Sequence, residues 1–289
     1  MITPKFTIVA PIKDEVERLR RSLPTFYEIG PDEVIICTDD PSPKLIKEAV
    51  KELAIQYNMV DKTKVLPVPR NPEYKYHQAW VRRSGYRSAK NDIILTSDID
   101  LYLNKNVHKA IRLIGKDNIG LVSLSKFRPP FNLESFVRTI GEFFLRILYI
   151  LLLKNIRSTS GLKMTLFTGL YALYKPYWLD SEGDDIKKME PPFHKVDFGA
   201  KINKESFNMG EDTFLRDSIE KNHRTITLST IAGVIMDREK HNHPKMQFER
   251  GRYNAKRGRS FLGAIVHTVI HIEPNYLKGF LIERNKVRG

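Results

Sequence analysis

Short apolar runs alternate with helix-like stretches through the first hundred residues. Phe6 to Ile12, Glu33 to Thr38 and Asp92 to Ser97 are rich in β-branched residues, and their length suits buried strands. Asp14 to Leu23, Lys44 to Tyr57 and Tyr76 to Ala89 carry helix signals, the first with acidic residues in its opening turn. Lys64 to Val68 reads as extended and Gly120 to Leu124 as a further strand. The resulting β-α-β-α-β-α-β order predicts an α/β fold, a mainly parallel sheet flanked by helices on both faces. Ligands of such sheets bind beyond the carboxyl ends of the strands.

Downstream the texture changes. Phe136, Val137, Ile140, Phe143, Phe144, Ile147, Leu148 and Leu151 recur at helical spacing, with Glu134, Arg138, Glu142 and Arg146 opposite. This predicts an amphipathic helix over about 134–154, apolar almost all round from Leu145 to Leu153. A helix of this kind is deeply buried or lies in a membrane interface. Phe167 to Tyr174 is strand-like, Asp180 to Asn203 reads as an exposed loop, and Gly210 to Asn222 as a helix. Arg238 to Arg259 is strongly basic, and Phe261 to Ile272 is apolar but shorter than the roughly 18 residues of a spanning helix. The expected organisation is one principal domain over 1–240 followed by a basic segment over 241–289.

Composition narrows the field. The chain has 289 residues, of which 41% are hydrophobic and 28% charged, enough apolar material for a sizeable core. The one cysteine, Cys37, excludes an intramolecular disulfide and a multi-cysteine zinc site, and its place in Val34-Ile35-Ile36-Cys37 reads as a small buried hydrophobe. Cysteine poverty fits a reducing compartment. Met1-Ile2-Thr3-Pro4-Lys5 runs directly towards a strand and does not read as a signal peptide. Lys and Arg outnumber Asp and Glu by 48 to 34, a net charge of +14. Such a surface attracts polyanions, whether nucleic acid, anionic lipid or phosphorylated substrates, or is simply basic.

Acidic clusters carry the candidate chemistry. Asp98-Ile99-Asp100 follows the apolar Ile93-Ile94-Leu95, and two carboxylates two positions apart at a strand end can share a hard cation, Mg²⁺ or Mn²⁺. Lys13-Asp14-Glu15 and Asp39-Asp40 fall at two other strand ends. Asp40 can hold a nucleoside by accepting hydrogen bonds, or cap the helix after Pro43. Arg82 and Arg83 precede the metal-candidate strand; they point at a diphosphate or are solvated surface charges, at least one of them the latter. Gly210-Glu211-Asp212 opens a helix, where Asp212 serves as a general base or as a first-turn acid complementing the dipole. Gln247, Arg250 and Tyr253 lie within two helical turns, suited to sugar and phosphate recognition or to a basic helix on anionic lipid. His241 and His243 lack partners at metal spacing.

Taken in order, these motifs resemble the family 2 glycosyltransferases of GT-A fold over roughly Phe6 to Ser260. Pro11-Ile12-Lys13-Asp14-Glu15 stands where that family has Pro-x-x-Asn-Glu, and Asp39-Asp40-Pro41-Ser42 where it has Asp-Asp-Gly-Ser. Arg82 and Gly85 match its Ala-Arg-Asn-x-Gly, Asp98 and Asp100 its Asp-x-Asp, and Glu211-Asp212 its Glu-Asp with the catalytic base. Phe167-Thr168-Gly169 and Gln247-x-x-Arg250 are similar to acceptor-side motifs of the cellulose-synthase-like branch, although Gly251 stands where that branch has tryptophan.

The resemblance implies an inverting, metal-dependent hexosyltransferase. Asp212 would be catalytic, and Asp98 and Asp100 would hold Mg²⁺ or Mn²⁺. Pro11, Glu15, Asp40, Arg82 and Asp98 would bind the nucleotide, and Phe167, Gly169, Glu211, Gln247 and Arg250 would face acceptor or diphosphate. The expected donor is GDP-mannose, with a UDP-sugar second. The expected acceptor is lipid-linked, with no nucleic acid as partner. The expected location is the cytoplasmic face of an anionic membrane, held peripherally or by a segment not present in the chain. The apolar stretches over 134–154 and 261–272 resemble that branch's interface helices. Two other readings compete. A sugar nucleotidyltransferase shares the sheet and the metal chemistry, but the chain lacks a glycine-rich basic loop after the first strand. A non-enzymatic nucleic-acid-binding protein accounts for the net charge, but its ligand rim would carry three acidic clusters.

Overall fold

The computed structural model describes residues 3–13, 15–74, 76–127, 170–181, 215–216, 218–235, 248, 251–252, 255, 261, 264–265, 268 and 274–288. In chain order the elements are β1 (Thr7–Ile12), α1 (Val16–Glu28), β2 (Glu33–Thr38), α2 (Lys44–Gln56), β3 (Thr63–Pro67), α3 (His77–Ser88) and β4 (Ile93–Ser97). There follow β5 (Leu101–Leu103), α4 (Val107–Leu113), β6 (Ile119–Phe127), β7 (Leu170–Tyr174), α5 (Lys175–Ser181), β8 (Arg224–Ile235) and α6 (Pro274–Arg288). The chain divides into two compact units. The first comprises Met1–Phe127, Thr165–Glu190 and Met209–Met236, and the second comprises Arg128–Met164, Pro191–Asn208 and Asp237–Gly289.

The first unit is built on a sheet of strand order β3-β2-β1-β4-β7-β6-β8-β5. β3, β2, β1 and β4 are mutually parallel, as the alternating pattern requires. β7 runs antiparallel to both β4 and β6, and β6 and β8 are parallel. Every residue of β1, β2 and β4 is buried, so these strands read as continuous apolar runs rather than alternating ones. Alternate side chains still separate by face. Ile8, Ala10, Val34, Ile36 and Leu95 pack with α1, α2 and α4, whereas Val9, Ile35, Cys37 and Ile94 pack with α3, Trp178, Leu215 and Ile219. Cys37 is fully buried, and burial pushes its thiol up to about 12.

α1 departs from expectation. It begins at Val16 and continues through Pro24 to Glu28, beyond the predicted stop at Leu23. A proline inside a helix forfeits one hydrogen bond and crowds the carbonyl four residues earlier. Here Leu19, Leu23, Phe26 and Tyr27 form one buried stripe, and their burial outweighs that loss. Gly30, at φ +69°, then turns the chain out of the helix, with its N–H bonded to the Tyr27 carbonyl. β5, α4, α5, β8 and α6 had no counterpart among the predicted elements, and α5 takes in Asp180 and Ser181, expected as the start of a loop.

The amino-terminal edge of the sheet is fastened by a buried carboxylate. Glu33 opens β2 and is 3% exposed. Its oxygens accept hydrogen bonds from the Lys90 backbone N–H (2.8 Å) and the Thr7 hydroxyl (3.0 Å), and pair with the Lys64 ammonium (3.0 Å). Lys64 also donates to the Ser88 carbonyl, and the Asn91 amide donates to Thr7. Burial by itself would raise the Glu33 carboxyl; the Lys90 amide, Lys64 and Thr7 together outweigh it and hold the group below the usual carboxylate range.

In the second unit α6 packs against Phe248, Gly251, Arg252 and Ala255, each of them helical. A side-chain carbon at Gly251 would run into the Tyr276 carbonyl, and one at Gly279 into that of Phe248, so the two backbones touch. Arg252 donates from Nε to the buried Glu283 carboxylate at 2.8 Å beside this crossing. No side chain fits at Gly251, the position where the branch it resembles has tryptophan.

Glu33→Gln should destabilise the fold by about 1–3 kcal/mol at pH 7, the scale of a compromised buried charged hydrogen-bond group. Because the folded-state value is depressed, this contribution is present above the unfolded value of about 4.3 and is lost as pH falls through the folded one. Urea denaturation at stepped pH should show the gap between wild type and variant closing below about pH 4. A gap independent of pH down to 3 would show that the charge is not what stabilises the edge.

Candidate active site

Parallel strands bring their carboxyl ends to one rim. β1 lies between β2 and β4, so the turns after β2 and β4 stand about two strand spacings apart, roughly 10 Å. The residues following Ile12, Thr38 and Ser97 therefore share one edge of the sheet, as the sequence predicts.

At β1, Pro11 is buried opposite Cys37 in the register. Glu15 is the half-buried first residue of the turn into α1; its carboxylate accepts from the Lys13 N–H at 3.4 Å and lies 3.5 Å from Arg18. At β2, the Asp40 N–H donates to the Thr38 hydroxyl (3.1 Å), and Asp40 Oδ1 accepts from the Ser42 N–H (2.8 Å). Asp40 thus closes a local turn of its own. It does not cap the next helix, whose N-cap is Pro43 without a side-chain bond.

α3 starts on this rim and crosses behind it. Gly85 makes the crossing close: a Cβ there would lie 2.5 Å from both Cys37 Sγ and Val9 Cγ1. One turn earlier, Arg82 and Arg83 are 4% and 2% exposed, which rules out the solvated-surface alternative for both. The Arg82 guanidinium donates from Nη2 to Asp98 Oδ1 at 2.5 Å. Arg83 donates from Nη1 to the Ala79 carbonyl at 3.2 Å, within its own helix.

The Asp98-Ile99-Asp100 turn is anchored on both sides, by β4 before it and by β5 after it, where Leu101 pairs with Ile235 of β8. Ile99 is 5% exposed and packs into the core, while Asp98 and Asp100 are half-buried. Among the described residues no group of three His, Cys, Asp or Glu side chains is placed to enclose a metal. The arrangement fits a hard cation that takes one or two carboxylates and fills its shell with water and phosphate oxygens, the habit of Mg²⁺ and Mn²⁺.

His77 was not singled out from sequence. It is the first residue of α3, and its Nδ1 is buried without a hydrogen-bond partner among the described residues. Burial lowers its pKa, the charge of Asp39 raises it, and Arg70 lowers it again, leaving the imidazole neutral at pH 7. The loop before it is held by Trp80, which donates to the Pro69 carbonyl at 3.1 Å and packs on Tyr74 at 4.9 Å between ring centres. Spacing gave no signal for His77, because its neighbours come from the ends of β2 and β3.

Asp212, Glu211, Phe167, Gly169, Gln247 and Arg250 lie outside the described residues. The turn just after Asp212 is described in part. Leu215 and Ile219 are helical, buried, and packed on the sheet face that carries α3.

The family model of Glycosyl transferase family 2 matches residues 7–181, more than half of the chain. The chain belongs to the family 2 glycosyltransferases. No curated protein sequence matches it. Among solved structures, this glycosyltransferase is similar to the mannosyltransferase PcManGT from Pyrobaculum calidifontis in complex with GDP-Man and Mn²⁺. That likeness has 15% identity and a TM-score of 0.57, and covers 100% of this chain and 76% of the other. It shows the shared GT-A architecture. TarS 1-349 from S. aureus aligns at 12% identity with a TM-score of 0.49, over 99% of this chain and 91% of that one. Family membership favours the transferase reading over the nucleotidyltransferase and nucleic-acid alternatives.

Proposed function

We propose that this family 2 glycosyltransferase moves a hexose from a nucleotide sugar to a lipid-linked acceptor, with inversion at the anomeric carbon. The observation that carries the donor half is the shared rim, with Asp39-Asp40 at one strand end, Asp98 and Asp100 at another, and the buried Arg82 tethering Asp98. GDP-mannose is the first choice of donor and a UDP-sugar the second. The Pyrobaculum protein solved with GDP-Man supports that order.

Each residue then has a task. Asp40, with Pro11 and Glu15 beside it, borders the nucleoside. Asp98 and Asp100 would hold Mg²⁺ or Mn²⁺, which when bound supplies positive charge against the diphosphate leaving group. Arg82 fixes the position of the half-buried Asp98 carboxylate. Asp212 accepts the proton of the acceptor hydroxyl as that oxygen attacks the anomeric carbon. The bond to the donor diphosphate breaks on the opposite side, and the nucleoside diphosphate departs. Leu215 and Ile219, which follow Asp212 closely in sequence, pack on the sheet face that carries α3. Phe167, Gly169, Glu211, Gln247 and Arg250 are assigned to the acceptor and diphosphate side.

The lipid-linked acceptor places the enzyme at the cytoplasmic face of a membrane. A net charge of +14 suits an anionic surface. The contact proposed is peripheral or through a segment not present in the chain; among the described residues no helix is long and apolar enough to cross a bilayer.

A thermal-shift panel of nucleoside diphosphates and nucleotide sugars, with and without Mn²⁺, tests the donor site. GDP or UDP species at about a hundred times Kd should raise Tm by roughly 5–10 °C with the cation, and Asp100→Ala should abolish that gain. No metal-dependent shift with any nucleotide would sink the donor assignment. Asp212→Asn should lower kcat at least about a hundredfold while leaving nucleotide affinity within about twofold. Retained turnover would leave Asp212 as a helix-start acid only. Wild-type protein should float with phosphatidylserine liposomes at low salt and be released by about 0.5 M NaCl; failure to float at low salt would remove the membrane from the proposal.

A further inference from the structure

Beneath the Arg82–Asp98 pair lies a second tie between the same two elements. Tyr86 stands four residues after Arg82, on the same side of α3. Thr96 stands two residues before Asp98, on the α3 side of β4. The Thr96 hydroxyl donates to the Tyr86 hydroxyl at 3.0 Å, and the Tyr86 and Tyr171 hydroxyls share a hydrogen bond at 2.7 Å. Tyr171 belongs to β7 and is the register partner of Thr96. All three residues are at most 1% exposed. The Tyr86 ring is fixed edge-on by Trp178 of α5, with ring centres 5.2 Å apart. Three oxygens deep in an apolar layer, joined in a chain, are costly to separate, since each would be left buried without its neighbour.

We propose that this hydroxyl chain is a positioning device for the candidate active site. It fixes how far α3 stands along β4, and therefore where the Arg82 guanidinium holds the Asp98 carboxylate. Gly85 sets how closely the helix approaches the sheet, but apolar contact alone tolerates sliding by a fraction of an ångström. Directional hydrogen bonds do not. Because Tyr171 supplies the third oxygen, β7 is tied into the same setting. The chain acts through Arg82 and touches no substrate. Its effect on ligand affinity rests on the donor site proposed above, and its effect on the turn does not.

Tyr86→Phe keeps the ring and its contact with Trp178 and deletes one oxygen. Thr96→Val, cutting the other end of the chain, guards against a variant that fails to fold. Hydrogen exchange of the amides at 98–101 should accelerate about tenfold in either variant, with β1, β2 and β3 unchanged, and Mn²⁺-dependent GDP or UDP affinity should fall about fivefold. In an Arg82→Met background, Tyr86→Phe should change that affinity by less than about twofold, because the group it positions is gone. Uniform acceleration across all strands, or an unaltered 98–101 turn, would reduce the chain to ordinary core structure and overturn the proposal. If wild-type protein bound no nucleotide the donor site would be wrong, and the exchange pattern would still decide the positioning role.

Discussion

A guanidinium buried to 4% exposure is costly to leave without a compensating partner, and for Arg82 that partner is an acidic residue of the candidate active site. That pairing links folding to the site. The packing of α3 brings Arg82 to Asp98, and the same contact ties the Asp98 turn to the helix. Gly85 permits the approach, since any side chain there would collide with Cys37 and Val9. The pair is also partly open, because the Asp98 side chain is 33% exposed while Arg82 is 5% exposed. The anchor is thus dry and the working group is wet.

The two edges of the parallel half-sheet use carboxylates for opposite ends. At the amino edge Glu33 is enclosed, fully engaged by Lys64, Lys90 and Thr7, and has no remaining freedom to bind anything else. At the carboxyl edge Glu15, Asp39, Asp40, Asp98 and Asp100 are half-buried in turns. A mainly parallel sheet makes this division available, because all its strand ends of one kind lie on one side.

Much of this was legible in the chain. β1, β2 and β4 were readable because strands buried on both faces are apolar throughout, and α2 and α3 because their periodic faces are long. The Asp98-Asp100 pair was readable because a two-residue spacing across a buried Ile99 is local information. Pro24 misled the reading of α1: the stripe that carries the helix onward includes Phe26 and Tyr27, whose burial depends on α1 meeting the sheet. β5 has three residues and exists through its pairing with β8, more than a hundred positions later. No local pattern announces such a strand.

The sequence by itself determined the α/β class, the order of the parallel strands' elements and the acidic rim, because apolar period and strand-end position are properties of neighbouring residues. Tertiary structure alone decided the state of the arginines. Arg82 and Arg83 are indistinguishable from surface charges in the sequence, and their burial follows from how closely Gly85 lets a helix approach two strands. It also decided that Gly251 had to be glycine, that His77 sits near Asp39 and Arg70, and that Thr96, Tyr86 and Tyr171 form one chain of hydroxyls. Each of these joins residues from separate elements, and such contacts exist only once the chain has closed on itself.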